Sequence, residues 1–202
     1  MLFNIPLYKN STEEVKDKYN IRELVEFERY CRDRQLWDQM EQCYHEDSEV
    51  HISWYAGTGK KFVEASKKMS GATHKMFNTV IWLKGNKAIA EIVASIQSHT
   101  VVDRNEVDLV SYVRLLYRVE KIGGIWKIRT MDCIYEKDSL LPVLPSSDLN
   151  IDPSELSEYR SPYKCLCYVL KQKGIACNQE LPGEDRPDTV NALYQSVSNW
   201  IA

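Results

Sequence analysis

Residues 73–99, THKMFNTVIWLKGNKAIAEIVASIQSH, decide how this chain folds. The run reads as two strands joined by Lys84-Gly85-Asn86-Lys87. A Gly-Asn pair between apolar alternating runs predicts a hairpin, because both residues tolerate the positive φ that such turns need. The second strand, Ala88 to Val102, is long, so its sheet must be strongly twisted or curved to be covered by few helices. The stretch also holds two of the four histidines, His74 and His99, on strands rather than loops.

Working outward, Val107 to Glu120 is a third strand after the polar turn Asp103-Arg104-Asn105, and Ile125 to Tyr135 a fourth. In that fourth strand Trp126, Ile128 and Thr130 alternate with Lys127 and Arg129, the period of a half-buried strand. On the N-terminal side an apolar arm precedes a helix start at Ser11-Thr12-Glu13-Glu14. A longer helix runs from Asn20 to Arg32, with Ile21, Leu24 and Val25 on its apolar face and Glu28 next in the series. A short helix through Tyr44, a strand from Glu49 to Trp54 and a helix carrying Phe62, Ala65, Ser66 and Met69 complete the first half, ended by Ser70-Gly71. Helices first and an antiparallel sheet after predict an α+β fold. Residues 1–140 form that unit. Residues 141–202 form a helical C-terminal extension that packs on the same domain or on a partner chain, with helices at Tyr163 to Lys173 and Thr189 to Ile201.

The totals exclude several function classes. The chain has 202 residues and a net charge of −3, with no basic stripe, so nucleic acid is not an expected partner. No segment is long and apolar enough to span a membrane, so no membrane partner is expected. The start MLFNIPLYKNSTEE lacks the pattern of a secretory leader. The expectation is a cytoplasmic, reducing setting in which all six cysteines are free thiols. No CxxC occurs and the Cys165-x-Cys167 pair has no matching ligand pair nearby, so a zinc site is not expected, and no motif implies another metal or a cofactor. Gly57-Thr58-Gly59-Lys60-Lys61 lacks the spacing of a phosphate loop, and neither GxSxG nor HExxH is present.

Four pieces in order resemble the SnoaL-like group of the nuclear-transport-factor-2-like superfamily. They are Asp33-x-x-x-Trp37-Asp38, Tyr44-x-x-Asp47 before Val50-His51-Ile52, His74-x-x-x-Asn78 with Ala88-x-Ala90-Glu91, and Ile122-Gly123-Gly124-Ile125-Trp126-Lys127-Ile128. The resemblance covers Ile21 to Tyr135. It implies a cone: a curved antiparallel sheet around a cavity, closed by the N-terminal helices. It further implies a small apolar or ring-containing ligand and a homodimer. Members include dehydratases, isomerases and cyclases as well as binding modules, so fold does not settle function.

In the scytalone-dehydratase-like branch an Asp at the end of the first helix orients a pocket His. Those residues match Asp33 and His74. A carboxylate on one ring nitrogen fixes the tautomer and makes the other nitrogen a better base. The alternative is that His74 is a core histidine bonded to backbone and Asp33 a helix-end residue. Glu28 is an acid on an apolar face: either a proton donor or acceptor with a raised pKa, or the partner of Arg32, Arg114 or Arg129. His99 shares a sheet face with Glu91, Val93, Ser95 and Gln97, which suits a pocket lining or a solvated surface. Trp37, Tyr55, Asn78 and Tyr112 complete the candidate ligand-binding set. His45 and His51 read as superficial. Two functions follow: a cofactor-free lyase or isomerase acting on a small hydroxylated or carbonyl-bearing ring, or a non-catalytic ligand-binding or dimerisation protein.

Overall fold

The computed structural model describes residues 9–69, 71–146 and 148–202. The apolar N-terminal arm and Ser70 lie outside the described residues. Helix α1 (Thr12–Arg34) is continuous, where the sequence suggested two pieces. Its start is a reciprocal cap: Ser11 Oγ accepts from the Glu14 N–H at 3.2 Å, and Glu14 Oε2 accepts from the Ser11 N–H at 2.7 Å. Gln35, at φ 60°, ends it. Ile21, Val25, Glu28, Arg29, Cys31 and Arg32 are the buried residues of the helix.

Helix α2 (Trp37–Cys43) leads directly into strand β1 (Tyr44–Ile52), which hairpins into β2 (Tyr55–Thr58). Helix α3 (Gly59–Ser66) then lies against β1. A glycine is needed at its first position, because a Cβ on Gly59 would sit 2.4 Å from Ser48 Oγ and 2.7 Å from the Tyr44 ring. Strands β3 (Ala72–Lys84), β4 (Lys87–Val102), β5 (Asn105–Ile122) and β6 (Ile125–Pro142) follow as antiparallel neighbours. In the β3–β4 turn only Gly85 takes a positive φ, 58°; Asn86 does not.

The sheet order is β2-β1-β6-β5-β4-β3. One pairing departs from the antiparallel expectation: β1 runs parallel to β6, with Val50 opposite Met131. Register shifts fall at Met76/Thr79, Tyr112/Val113 and Arg118/Val119. Such bulges bend and twist long strands, which lets strands of up to 18 residues wrap around the helices. The last shift also changes the phase of β6. Trp126 and Ile128 face the main core, whereas Thr130 faces away, bonded to Arg118 and Asp132.

Both faces of the sheet are covered. The inner face of β4, with Ala88, Ala90, Ile92 and Ala94, joins Ile21 and Val25 of α1 in the main core. The alanines leave room for the helix to approach. The outer face, with Ile89, Leu116 and Ile134, is covered by helix α6 (Pro187–Ile201) through Val190 and Val197. Between β6 and α6 come helix α4 (Pro153–Ser157), a 3-10 turn at Ser161–Tyr163 and helix α5 (Lys164–Gln172). Asp138 of β6 accepts from the Leu166 N–H at 2.7 Å and so satisfies the start of α5. Burial pushes the Asp138 carboxyl up to about 6, against the donors at Leu166 and Cys165.

The expectation of six free thiols is corrected. Cys167 in α5 is disulfide-bonded to Cys177, while Cys31, Cys43, Cys133 and Cys165 are free and buried. The chain reverses at Gly174, which takes φ 70°, and brings the two Cα atoms to 5.3 Å, within disulfide reach.

Candidate active site

The site forms where the last turns of α1 meet the start of β3. Arg29, Arg32 and Asp33 are spaced i, i+3, i+4 and share one side of the helix. His74 of β3 stands opposite Ile96 of β4. Asp33 holds His74 at two points. Its Oδ1 lies 2.6 Å from Nδ1, and its Oδ2 accepts the His74 backbone N–H at 2.7 Å. The bond to a carboxylate assigns the ring proton to Nδ1 and makes Nε2 an acceptor. Arg29 Nη1 stands 3.5 Å from that Nε2.

Electrostatics favour a neutral imidazole beside a charged carboxylate. Burial lowers the His74 pKa; the Asp33 bond pulls it up, and the Arg29 and Arg32 cations push it down again. For Asp33, burial acts to raise the pKa, but the His74 bonds and Arg29 outweigh it and the net shift is downward. The His74 side chain is only 6% exposed.

His74 forms part of the wall of a cavity of about 100 Å³ between the helices and the sheet. Trp54, Phe62 and Tyr135 supply aromatic surface, and Ser53, Ser98 and Ser111 supply small polar groups. Helix α5 contributes Leu166, Val169 and Leu170, so the C-terminal extension completes the enclosure. Arg29 and Arg32 also lie on this wall. Neither was singled out from sequence as a cavity residue. Their spacing with Val25 on one helix face is the signal that pointed there.

Glu28 is wholly buried but stands behind the wall. It pairs with its neighbour Arg29 through both carboxylate oxygens, one of them 2.5 Å from Nε, and accepts from the Tyr44 hydroxyl at 2.8 Å. The partner is therefore Arg29. Arg32 instead donates to the Met69 carbonyl, Arg114 engages Glu136 and Glu184, and Arg129 engages Glu120. With Glu28 beside it, the buried Arg29 guanidinium has its pKa raised although desolvation opposes this.

The five candidate ligand-binding residues are not brought to this cavity. His99 projects from the outer face, 55% exposed and 3.2 Å from Asp108. Its parity with Glu91, which meets Tyr194 of α6 at 2.6 Å, places it there. Tyr112 pairs with Ser95 in the same outward phase and lies under the Lys137 ammonium. Asn78 is exposed within the β3 bulge. Trp37 packs against the main core at the start of α2. Tyr55 packs its ring, tilted, against Phe62 and donates its hydroxyl to the Thr58 carbonyl at 2.8 Å.

The remaining histidines are less superficial than expected. His45 contacts Arg129 at 2.6 Å with its side chain 16% exposed, and His51 bonds Asp132 at 2.8 Å. His45, Glu46 and Asp47 are the one group among the described residues whose ligand atoms gather within 4.8 Å, and the two acids are exposed.

The comparisons agree with this architecture. The model of the SnoaL-like domain matches residues 13–132. An uncharacterized protein of Emericella nidulans is 30% identical, across 93% of this chain and 87% of its own length. Pea pathogenicity protein 2 of Fusarium vanettenii is 29% identical, across 92% and 84%. Among solved structures, the hexachlorocyclohexane dehydrochlorinase LinA type 2 superposes with a TM-score of 0.58 at 11% identity, covering 68% of this chain and 97% of that one. A scytalone-dehydratase-like protein of Novosphingobium aromaticivorans gives 0.53 at 17% identity, covering 68% and 91%. These two carry the fold. With the family match spanning more than half its residues, the chain belongs to the SnoaL-like domain family, with an NTF2-like fold.

Proposed function

We propose that this protein is a cofactor-free lyase or isomerase that moves a proton on a small hydroxylated or carbonyl-bearing ring compound. The observation that carries the reading is the bond from Asp33 to His74, with His74 on the wall of a largely apolar cavity. Asp33 holds the ring in the tautomer whose Nε2 accepts a proton, and stabilises the imidazolium that forms. Arg29 Nη1, beside that nitrogen, is placed to donate to an oxygen on which negative charge develops. Apolar walls exclude water and strengthen both interactions. The elimination reactions after which the two structural neighbours are named are of the type such a base supports.

The test is proton–deuterium exchange and loss of water from a panel of cyclic hydroxyketones, followed by NMR. The wild-type protein should catalyse exchange, and His74→Ala should lose about 10²- to 10⁴-fold. Retention of an unaltered ring compound, seen by native mass spectrometry without exchange, would replace this reading with that of a binding protein. The homodimer and the cytoplasmic location belong to the same proposal. Sedimentation velocity tests the first. The Cys167–Cys177 bond weighs against the second, because disulfides are rare in reducing compartments.

A further inference from the structure

The cavity wall has a one-sided charge. It carries the cations Arg29, Arg32 and Lys173 beside the neutral His74 and, among the described residues, no carboxylate. The two acids nearest in sequence are already committed. Glu28 serves Arg29 and Tyr44, and Asp33 serves His74. Arg29 with Glu28 is thus a neutral unit. Arg32 is different. It is 5% exposed, its described hydrogen bond goes to the neutral carbonyl of Met69, and no ion pair joins it to a described residue. Burial and the adjacent Arg29 cation push its pKa down to about 10, against the pull of Asp33 and Glu28.

A buried cation without a close anion is costly, and a bound anion removes that cost. The guanidinium fork matches a planar carboxylate with two parallel N–H···O bonds. Lys173, exposed at the end of α5, adds a second cation at the rim. The cavity's size sets the rest of the ligand. About 100 Å³ is below the roughly 150 Å³ of a protein cavity that takes benzene, so the ligand has at most one small ring. Trp54, Phe62 and Tyr135 offer surfaces for that ring.

We propose that the compound bound here is a monocyclic carboxylate, with Arg32 as the residue that anchors its carboxylate and Lys173 assisting at the entrance. This rests on the proton-transfer reading for the choice of site, and it names the substrate class. The ring then lies against the aromatic wall beside His74, and the carboxylate remains unchanged through the reaction.

The experiment is isothermal titration of the full chain with benzoate, with benzamide as the neutral isostere, and with inorganic phosphate. Charge-assisted bonding should make benzoate bind roughly tenfold or more tightly than benzamide. Arg32→Met should remove that preference, and Arg32→Lys should keep part of it. The wild-type comparison stands even if a variant fails to fold. Equal affinity for benzoate and benzamide, no binding of either, or phosphate binding as tightly as benzoate would each overturn the proposal. Benzoate binding without any exchange activity leaves this inference standing and removes the proton-transfer reading. Exchange on neutral ring ketones without a preference for benzoate does the reverse.

Discussion

Asp33 grips His74 by both its ring and its backbone: Oδ1 meets Nδ1 at 2.6 Å while Oδ2 accepts the peptide N–H at 2.7 Å. The second bond makes the first more than a chance contact. It fixes the carboxylate against the strand, so that only one ring orientation satisfies both oxygens. Asp33→Asn keeps the size but exchanges one acceptor oxygen for an amide that donates. The expected result is loss of the carboxylate's support for the imidazolium and a further fall in the His74 pKa, together with a drop of about 10²-fold or more in any exchange activity. Nitrogen-15 NMR of the ring reads the first effect without a substrate. An unchanged titration in Asp33→Asn would sink the dyad.

Two His–Asp pairs of similar length shift in opposite directions, and burial decides which way. His51, 38% exposed at the side chain, is raised above its ordinary 6.5 by its bond to Asp132 despite partial desolvation. His74, 6% exposed, is lowered by burial in spite of Asp33. The signs follow from proton linkage. His74 takes up its proton more readily in the unfolded chain, so its contribution is present above pH 6.5 and is lost as the pH falls toward its folded value. His51 holds its proton more tightly when folded, so its contribution is present below 6.5 and is lost as the pH rises through its folded value. Urea unfolding between about pH 5 and 8 checks both. His74→Asn should flatten the acid-side loss and His51→Asn the alkaline-side loss. Finding both rings titrating on the same side of 6.5 would contradict this.

Glu28 is the buried counter-charge of Arg29, and its role is structural before it is chemical. Glu28→Gln leaves a buried guanidinium without its anion and also changes the acceptor of Tyr44. Breaking one side of a buried pair typically costs about 3–5 kcal/mol. Chemical denaturation should show a loss in that range with the m-value unchanged. A loss below about 1 kcal/mol would mean that the unpaired Arg29 finds another partner or reaches water.

The hairpin and the helical first half were legible because each rests on local periodicity, and the Asp33–His74 pairing was legible only through the family resemblance. What sequence could not supply was which face is which. Strand alternation sorts His99 into a set with Glu91 and Ser95, but it does not say whether that set faces a cavity, and it leaves the face of Tyr112 on the next strand open. Here helix α6 covers the outer face, so Ile89 and Leu116 make it apolar too and composition no longer distinguishes the faces. Bulges cause a second failure. The irregularity opposite Arg118 and Val119 turns Thr130 outward although its alternation with Trp126 and Ile128 reads inward. The Glu28 partner was missed for a geometric reason: adjacent helix residues do not normally face one another. Arg29 reaches back to it because both side chains are enclosed between α1 and the sheet. The α5 wall was out of reach, since nothing local to Leu166 or Val169 says which part of the sheet they meet.

The disulfide gives the last prediction. Cys167 and Cys177 are 10 residues apart in sequence and tie α5 to the segment that follows it. That segment is fastened elsewhere as well: the Asn178 N–H donates to the Ser53 carbonyl at 2.7 Å, and Tyr163 donates its hydroxyl to the Asn178 carbonyl at 3.1 Å. Ser53 and the α5 residues Leu166, Val169 and Leu170 all lie on the cavity wall. Closing so short a loop restricts the unfolded chain by about 2–3 kcal/mol on the chain-entropy account. Reduction by a dithiol, or Cys167→Ala with Cys177→Ala, should therefore lower the melting temperature by several degrees. Because the other fastenings persist, the fold should survive, and the loosening should be local to α5. Thiol titration of denatured protein should find four free cysteines before reduction and six after. Hydrogen exchange should rise in α5 and around Ser53 while α1 and β4 stay protected. Six free thiols in protein purified without reductant would show that the pair does not form. Uniform loss of protection would show that the bond supports the whole fold rather than this wall of the cavity.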